Sequence, residues 1–165
     1  AICGFSAGGH LAASLAVHWD KEYLADVDGI EIGKNRPDAL ILCYPVITSG
    51  QYAHRGSFIN LLGENASNEL LHEMSLEHQV SKKTPPAFIW HTFADMGVPV
   101  ENSLLFAQAL RKNNIPFELH IFPEGVHGLS LATEETANNN PELVSLHVAS
   151  WIDLCKKWLK LQFKM

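Results

Sequence analysis

Five residues near the start of the chain, Gly4-Phe5-Ser6-Ala7-Gly8, fit the pattern G-x-S-x-G, and they constrain the fold more than any other segment. The residues before them, Ala1-Ile2-Cys3-Gly4, read as the end of a buried strand. Residues 7–18 read as a helix, and Ala7, Gly8, Gly9, Ala12, Ala13 and Ala16 are small enough to let it lie close against a sheet. A serine on such a sharp strand-to-helix turn has strained backbone angles, and glycines two before and two after remove side chains that would clash. The turn pushes Oγ out above the sheet. The helix that follows aims free N–H groups at the same point, and the Ala7 amide becomes a donor for a developing oxyanion.

The rest of the chain supplies the sheet that this turn needs. Ala39-Leu40-Ile41-Leu42-Cys43-Tyr44 is a nearly continuous apolar run between Pro37-Asp38 and Pro45, as expected of a parallel strand covered on both faces. Ala87-Phe88-Ile89-Trp90-His91 follows Pro85-Pro86 as a second such strand. Phe117 to Phe122 alternates more clearly, as expected nearer a sheet edge. Between the last two strands, Glu101–Asn113 reads as a helix with Leu104, Leu105, Ala109 and Leu110 on or near one face. Pro141 opens a final helix, with His147, Trp151, Cys155, Trp158 and Phe163 along its apolar stripe. Strands alternating with helices predict an α/β fold, a doubly wound and mostly parallel sheet with flanking helices. Residues 46–84 are long for a connection and predict an insertion near the active site. Within them Ser67 is a natural N-cap for a helix over Asn68–Met74.

A nucleophilic serine needs a base, and the base needs an orienting acid. His127 lies in Pro123-Glu124-Gly125-Val126-His127-Gly128, just past the Phe117–Phe122 strand, where glycines let a ring project from a tight loop. Asp95 lies just past the strand that ends at His91. Both sit at C-terminal ends of parallel strands, where sites form in open α/β sheets. The chain order Ser6, Asp95, His127 is the order this strand–turn–helix motif uses. Asp38 precedes its strand and lies at the wrong edge, and Glu101 serves a helix start. His10, one turn after Ser6, and His91, at the end of the strand before Asp95, read as supports. With no H-x-x-x-H or C-x-x-C spacing, no metal is called for, and the motif needs no cofactor.

Composition excludes several other functions. The 165 residues carry a formal charge of −6, and no basic cluster exceeds the pairs Lys82-Lys83 and Lys156-Lys157, which argues against nucleic acid or an anionic membrane as partner. No apolar run reaches the ~18 residues of a membrane span. The odd set Cys3, Cys43 and Cys155 in apolar surroundings reads as buried reduced thiols, hence a cytoplasmic setting. A homo-oligomer stays open.

Taken together, Gly4-Phe5-Ser6-Ala7-Gly8-Gly9-His10-Leu11-Ala12, Tyr44-Pro45-Val46-Ile47, Asp95-x-x-Val98-Pro99-Val100-Glu101-Asn102-Ser103 and Gly125-Val126-His127-Gly128 resemble the esterase/lipase family of α/β-hydrolases, and within it the bacterial acetyl esterases. The resemblance covers essentially the whole chain. It implies a small-molecule ester as substrate, with a short acyl group, commonly acetyl on sugars. It implies Ser6 as nucleophile, Asp95 as acid, His127 as base and the Ala7 amide at the oxyanion. Such enzymes carry an H-G-G-type oxyanion loop nearer their N-terminus, and none is present here. The expectation is that residues 1–165 form the C-terminal portion of one hydrolase domain, without its first strands and that loop. Residues 46–84 then shape a substrate pocket, with Tyr52, His54, Arg55 and Phe58 as candidates. Two other readings stay open: a serine peptidase of the prolyl-oligopeptidase type, and a hydrolase-fold protein used only for binding.

Overall fold

A computed structural model describes residues 1–164 apart from 25–28, 30 and 32. Four strands, β1 (Ile2–Phe5), β2 (Leu40–Cys43), β3 (Ala87–Thr92) and β4 (Phe117–Phe122), form one sheet in sequential order, every pair parallel. The crossovers carry helices: α1 (Ala7–His18) after β1, α2 (Arg55–Leu62) and α3 (Asn68–Glu73) after β2, and α4 (Glu101–Lys112) after β3. Beyond β4 come α5 (Glu134–Ala137), α6 (Leu146–Ala149) and α7 (Trp151–Phe163).

The period of two in a strand sorts the core into two layers. Leu40, Leu42, Ala87 and Ile89 face one way and pack on Ala12, Ala13 and Ala16 of α1 and on Phe106 and Leu110 of α4. Ile41, Cys43, Phe88 and Trp90 face the other way and pack on Trp151, Cys155 and Trp158 of α7. Helices therefore cover both faces, as the alternation of strands and helices implies. Ala12, Ala13 and Ala16 of α1 are buried against the sheet, and their small side chains let the helix lie close to it. No helix among the described residues is long and apolar enough to cross a membrane.

Several expectations need correction. β1 is only partly buried, with Gly4 inside, since among the described residues β2 alone pairs with it; Cys3 is exposed, whereas Cys43 and Cys155 are buried, and all three are free thiols. α4 turns a different face inward. Asn102, Ser103, Phe106, Ala107 and Leu110 are buried, while Leu104 is 46% exposed. The cause is polar. The Asn102 side chain is fully buried, accepts from the amides of Ile47 (2.8 Å) and Thr48 (3.0 Å), and donates to the carbonyls of Tyr52 (2.9 Å) and Pro99 (3.0 Å). The helix rotates to satisfy four backbone groups that would otherwise be stranded in the interior. The final helix is also interrupted. Pro141–Leu143 is a single 3₁₀ turn, Val144 is extended, and Ser145 recaps the chain by accepting from the Val148 amide at 3.3 Å. After that break Val148 turns inward and His147 outward, Trp151, Cys155 and Trp158 keep the expected stripe, and Phe163, the last residue of α7, is 40% exposed. In the 46–84 segment, Ser67 does cap α3, accepting from the Leu70 amide at 3.2 Å.

Asn102→Ala should lower the unfolding free energy by about 2–4 kcal/mol, because two buried amides lose their acceptor. Leu104→Ala, two residues along, should cost under about 1 kcal/mol. Urea denaturation of the two variants checks this, and equal losses would contradict the role given to Asn102.

Candidate active site

All four strands end at one edge, and each contributes a residue there. Ser6 follows β1, Tyr44 follows β2, Asp95 follows β3 and His127 follows β4. Ser6 has φ 53° and ψ −123°, a region that only glycine enters without strain. Its surroundings over-determine it. The Ser6 amide donates to the Cys43 carbonyl (3.0 Å), and its own carbonyl accepts from Gly9 (2.9 Å), His10 (3.3 Å) and Val46 (3.1 Å).

The glycines around it do not act as the motif alone implies. A Cβ on Gly4 would overlap the Gly8 carbonyl, so Gly4 is required. A Cβ on Gly9 would come within 2.7 Å of the Pro45 side chain. A Cβ on Gly8 would meet nothing within 4 Å. The second steric demand thus falls on Gly9, where α1 passes β2, rather than on Gly8.

Ser6 Oγ lies 2.7 Å from Nε2 of His127, and Nδ1 of His127 lies 2.7 Å from Oδ2 of Asp95. A carboxylate can only accept, so Nδ1 carries the ring proton and Nε2 is left as an acceptor for the serine hydroxyl. The structure therefore joins Ser6, His127 and Asp95 in one hydrogen-bonded chain. The Ala7 amide sits beside it at the open end of α1, and no acceptor among the described residues engages it. His127 is half-buried, and its ring meets Tyr44 edge-on with centroids 5.0 Å apart.

Asp95 is buried, and four donors converge on it. Oδ1 accepts from the amides of Gly97 (2.8 Å) and Val98 (2.9 Å), and Oδ2 from His127 and, at 3.3 Å, from Nε2 of His91. Burial by itself would raise the carboxyl pKa. The hydrogen bonds from His127, His91 and Val98 outweigh it and hold Asp95 well below the ordinary carboxylate range. Gly97 is tight as well as a donor, since a Cβ there would approach the His127 ring to 3.1 Å.

The His127 loop is tied down at three points. Thr92 Oγ1 donates to the Gly125 carbonyl (2.8 Å), the Ser130 amide donates to the Tyr44 hydroxyl (2.9 Å), and the Trp151 indole donates to the Ser130 carbonyl (3.0 Å). Gly125 and Gly128 on either side of the histidine have φ of 135° and 90°. Burial raises the Tyr44 phenol to about 12, so it stays neutral in this contact.

A cleft of about 490 Å³ opens next to Ala7, lined by His10, Leu11, Val46, Phe58, Leu61 and Met74 among others. Burial lowers the His10 pKa; its Nε2 donates to the Met74 carbonyl at 2.9 Å, so it braces the cleft wall as a neutral ring. Of the pocket candidates in 46–84, Phe58 lines this cleft. Tyr52 is half-buried and gives its carbonyl to Asn102, whereas His54 and Arg55 are exposed and His54 caps α2. Among the described residues no group of three or more His, Cys, Asp or Glu side chains is placed to hold a metal ion.

A model of the prolyl oligopeptidase family matches residues 1–153. The chain belongs to that family. Endo-1,4-beta-xylanase B of Butyrivibrio fibrisolvens is 53% identical over 140 residues, which cover 81% of this chain and 21% of that protein. Acetylxylan esterase of Xylanibacter ruminicola is 34% identical over 137 residues, 80% of this chain and 26% of that one. An acetyl ester-xyloside bifunctional hydrolase of Caldicellulosiruptor lactoaceticus superposes with a TM-score of 0.82 at 49% identity, covering 96% of this chain and 54% of that structure. The chain thus spans about a quarter of the curated relatives and about half of the solved structure. The resemblance to α/β-hydrolase esterases holds.

Sequence reasoning missed the tethers of this family member. Tyr44, Asn102 and Ser103 were visible only as parts of motifs. One signal was available: Asn102 and Ser103 stand on the same helical stripe as Phe106 and Leu110, where a polar residue must have buried partners.

Two tests follow. Gly4→Ala and Gly9→Ala should each cost about 1–3 kcal/mol by overpacking, while Gly8→Ala should be neutral or stabilising; thermal melts of the three variants would show the order. The depressed Asp95 pKa makes its contribution to stability fully present above its ordinary value of 3.8 and lost as the pH falls below it. The stability gap between the native protein and Asp95→Asn should therefore be flat at neutral pH and shrink below that value, as acid titration of the unfolding free energy would reveal.

Proposed function

We propose that this chain is the part of a serine carboxylic-ester hydrolase that carries its catalytic triad, acting on short acyl esters, with acetyl groups on xylan-type sugars as its substrate class. The observation that carries the reading is the 2.7 Å contact from Ser6 Oγ to a histidine whose other nitrogen is held by a buried carboxylate. In this reading Ser6 is the nucleophile, His127 the base and Asp95 the acid. His127 Nε2 takes the hydroxyl proton as Oγ attacks the ester carbonyl, and the carbonyl oxygen gains negative charge. The free Ala7 amide donates to that oxygen, with further donors supplied from outside residues 1–165. The C–O bond to the alcohol breaks, and the alcohol leaves with the proton from His127. Water then repeats the sequence on the acyl-serine, and the acid departs. Asp95 keeps the proton on Nδ1 and stabilises the imidazolium formed at each step.

The relatives' names support the sugar-ester part of the reading, and the site chemistry favours ester over glycoside cleavage. Glycoside hydrolysis works with a pair of carboxylates across the bond. The constellation at Ser6 holds one, Asp95, whose oxygens are already engaged by four donors. The family match favours one second reading, a peptidase acting after proline, which would use the same three residues.

The full-length protein should hydrolyse p-nitrophenyl acetate faster than the butyrate or octanoate ester and leave a prolyl-nitroanilide untouched. Ser6→Ala should lower kcat/KM by roughly 10⁴-fold or more. Cleavage of the nitroanilide would move the assignment to the peptidase reading, and ester turnover unchanged in Ser6→Ala would remove the triad.

A further inference from the structure

His91 is fully buried in β3, between β2 and β4, and both of its ring nitrogens are engaged. Nε2 faces two acceptors, the Val98 carbonyl at 2.9 Å and Asp95 Oδ2 at 3.3 Å. A neutral imidazole has one N–H, and two acceptors require it to be on Nε2. Nδ1 is then an acceptor, and the Ser103 hydroxyl of α4 supplies its donor at 2.8 Å. Ser103 is itself fully buried. The hydroxyl fixes the tautomer, and the tautomer fixes what the ring offers to Asp95.

Val98 makes the arrangement a clamp. Its carbonyl accepts from His91, and its amide donates to Asp95 Oδ1. His91 thus reaches both carboxylate oxygens: Oδ2 directly, and Oδ1 through Val98, the residue whose carbonyl it holds. His127 bonds to the same Oδ2. Any rotation of the carboxylate swings the Nδ1 anchor of His127 and, across the ring, the Nε2 that faces Ser6.

We infer that His91 is a positioning residue for the reaction, acting through Asp95 and the backbone of Val98 to set the angle at which His127 meets Ser6. The inference rests on the ester-hydrolase reading for its kinetic consequence, but its geometric part concerns Asp95 and His127 alone. Ser103 belongs to the same device as the group that sets the His91 tautomer. The unit is local: Ser103 on α4, His91 on β3 and Val98 in the loop lie within twelve residues of one another in sequence.

Two amide substitutions of His91 in the full-length protein separate positioning from packing. Gln places its amide N–H near the Nε2 position, within reach of Asp95 and the Val98 carbonyl. Asn places its amide near Nδ1, within reach of Ser103 alone. His91→Gln should keep kcat within about three-fold, and His91→Asn should lower it roughly 10- to 100-fold with KM little changed. The downfield ¹H NMR resonance of the His127 Nδ1 proton, recorded also in Ser6→Ala, should stay sharp in His91→Gln and be lost to exchange in His91→Asn. Equal behaviour of the two amides in both measurements would overturn the inference, and so would an unchanged resonance in His91→Asn. Should His91→Asn fail to fold, Ser103→Ala takes its place, with a broadened resonance expected and an unaltered one counting against the idea. A protein that turns over no ester but whose resonance responds in this way would retract the proposed function and leave the positioning intact.

Discussion

A buried carboxylate that stays ionised must be met by donors on every side, and the edge of the sheet where all four strands end is arranged around that demand at Asp95. Two backbone amides of its own loop take one oxygen, and two histidines take the other. The histidines come from different places, His91 from within β3 and His127 from the loop after β4. The carboxylate therefore pins the β3 loop to the β4 loop, and the distance between Ser6 and its histidine depends on that pin. A charge left with fewer partners would be costly in the interior, so the network is strongly coupled: weakening one donor shifts the others.

The scaffold beneath supplies what such a site needs, rigid points of attachment at one edge. Parallel strands in sequential order bring all four C-terminal ends together. The two core layers then hold the strands from both faces, alanines of α1 and large α4 residues on one side, tryptophans of α7 on the other. Strain at Ser6 persists because four backbone hydrogen bonds and the contacts at Gly4 and Gly9 leave no room to relax. The same logic explains Asn102. Irregular backbone after β2 passes under α4, and one buried side chain replaces the ladder that a strand would have provided.

Much of this was legible in the residues. The elbow could be read from Gly4-Phe5-Ser6-Ala7-Gly8 because a strand, a tight turn and a helix leave local marks: apolar β-branched residues, glycines, then small helix formers. β3, α1 and β4 were legible for the same reason, since a continuous apolar run, a stretch of small residues and an alternating segment each mark a single element. The inward face of α4 was not. A count of leucines points to Leu104, but tertiary hydrogen bonds to Asn102 turned the helix. The break before α6 was hidden because the apolar spacing of residues 141–163 continues through it, and the interruption is made by Ser145 capping, a one-residue event. Gly8 was given a steric role that belongs to Gly9, because the clash arises against Pro45, far away in the chain.

By itself the sequence determined the alternation of strands and helices, the place of the serine turn, and the order of Ser6, Asp95 and His127 along the chain. These follow from local sterics and short-range periodicity, which any stretch of a dozen residues carries within it. Only the tertiary structure decided that His91 and His127 share one carboxylate oxygen, that Tyr44 braces the His127 ring and that Ser103 sets a histidine tautomer. Those contacts join residues on different elements, and no local rule specifies a distance between side chains whose positions are fixed by the packing of a whole sheet.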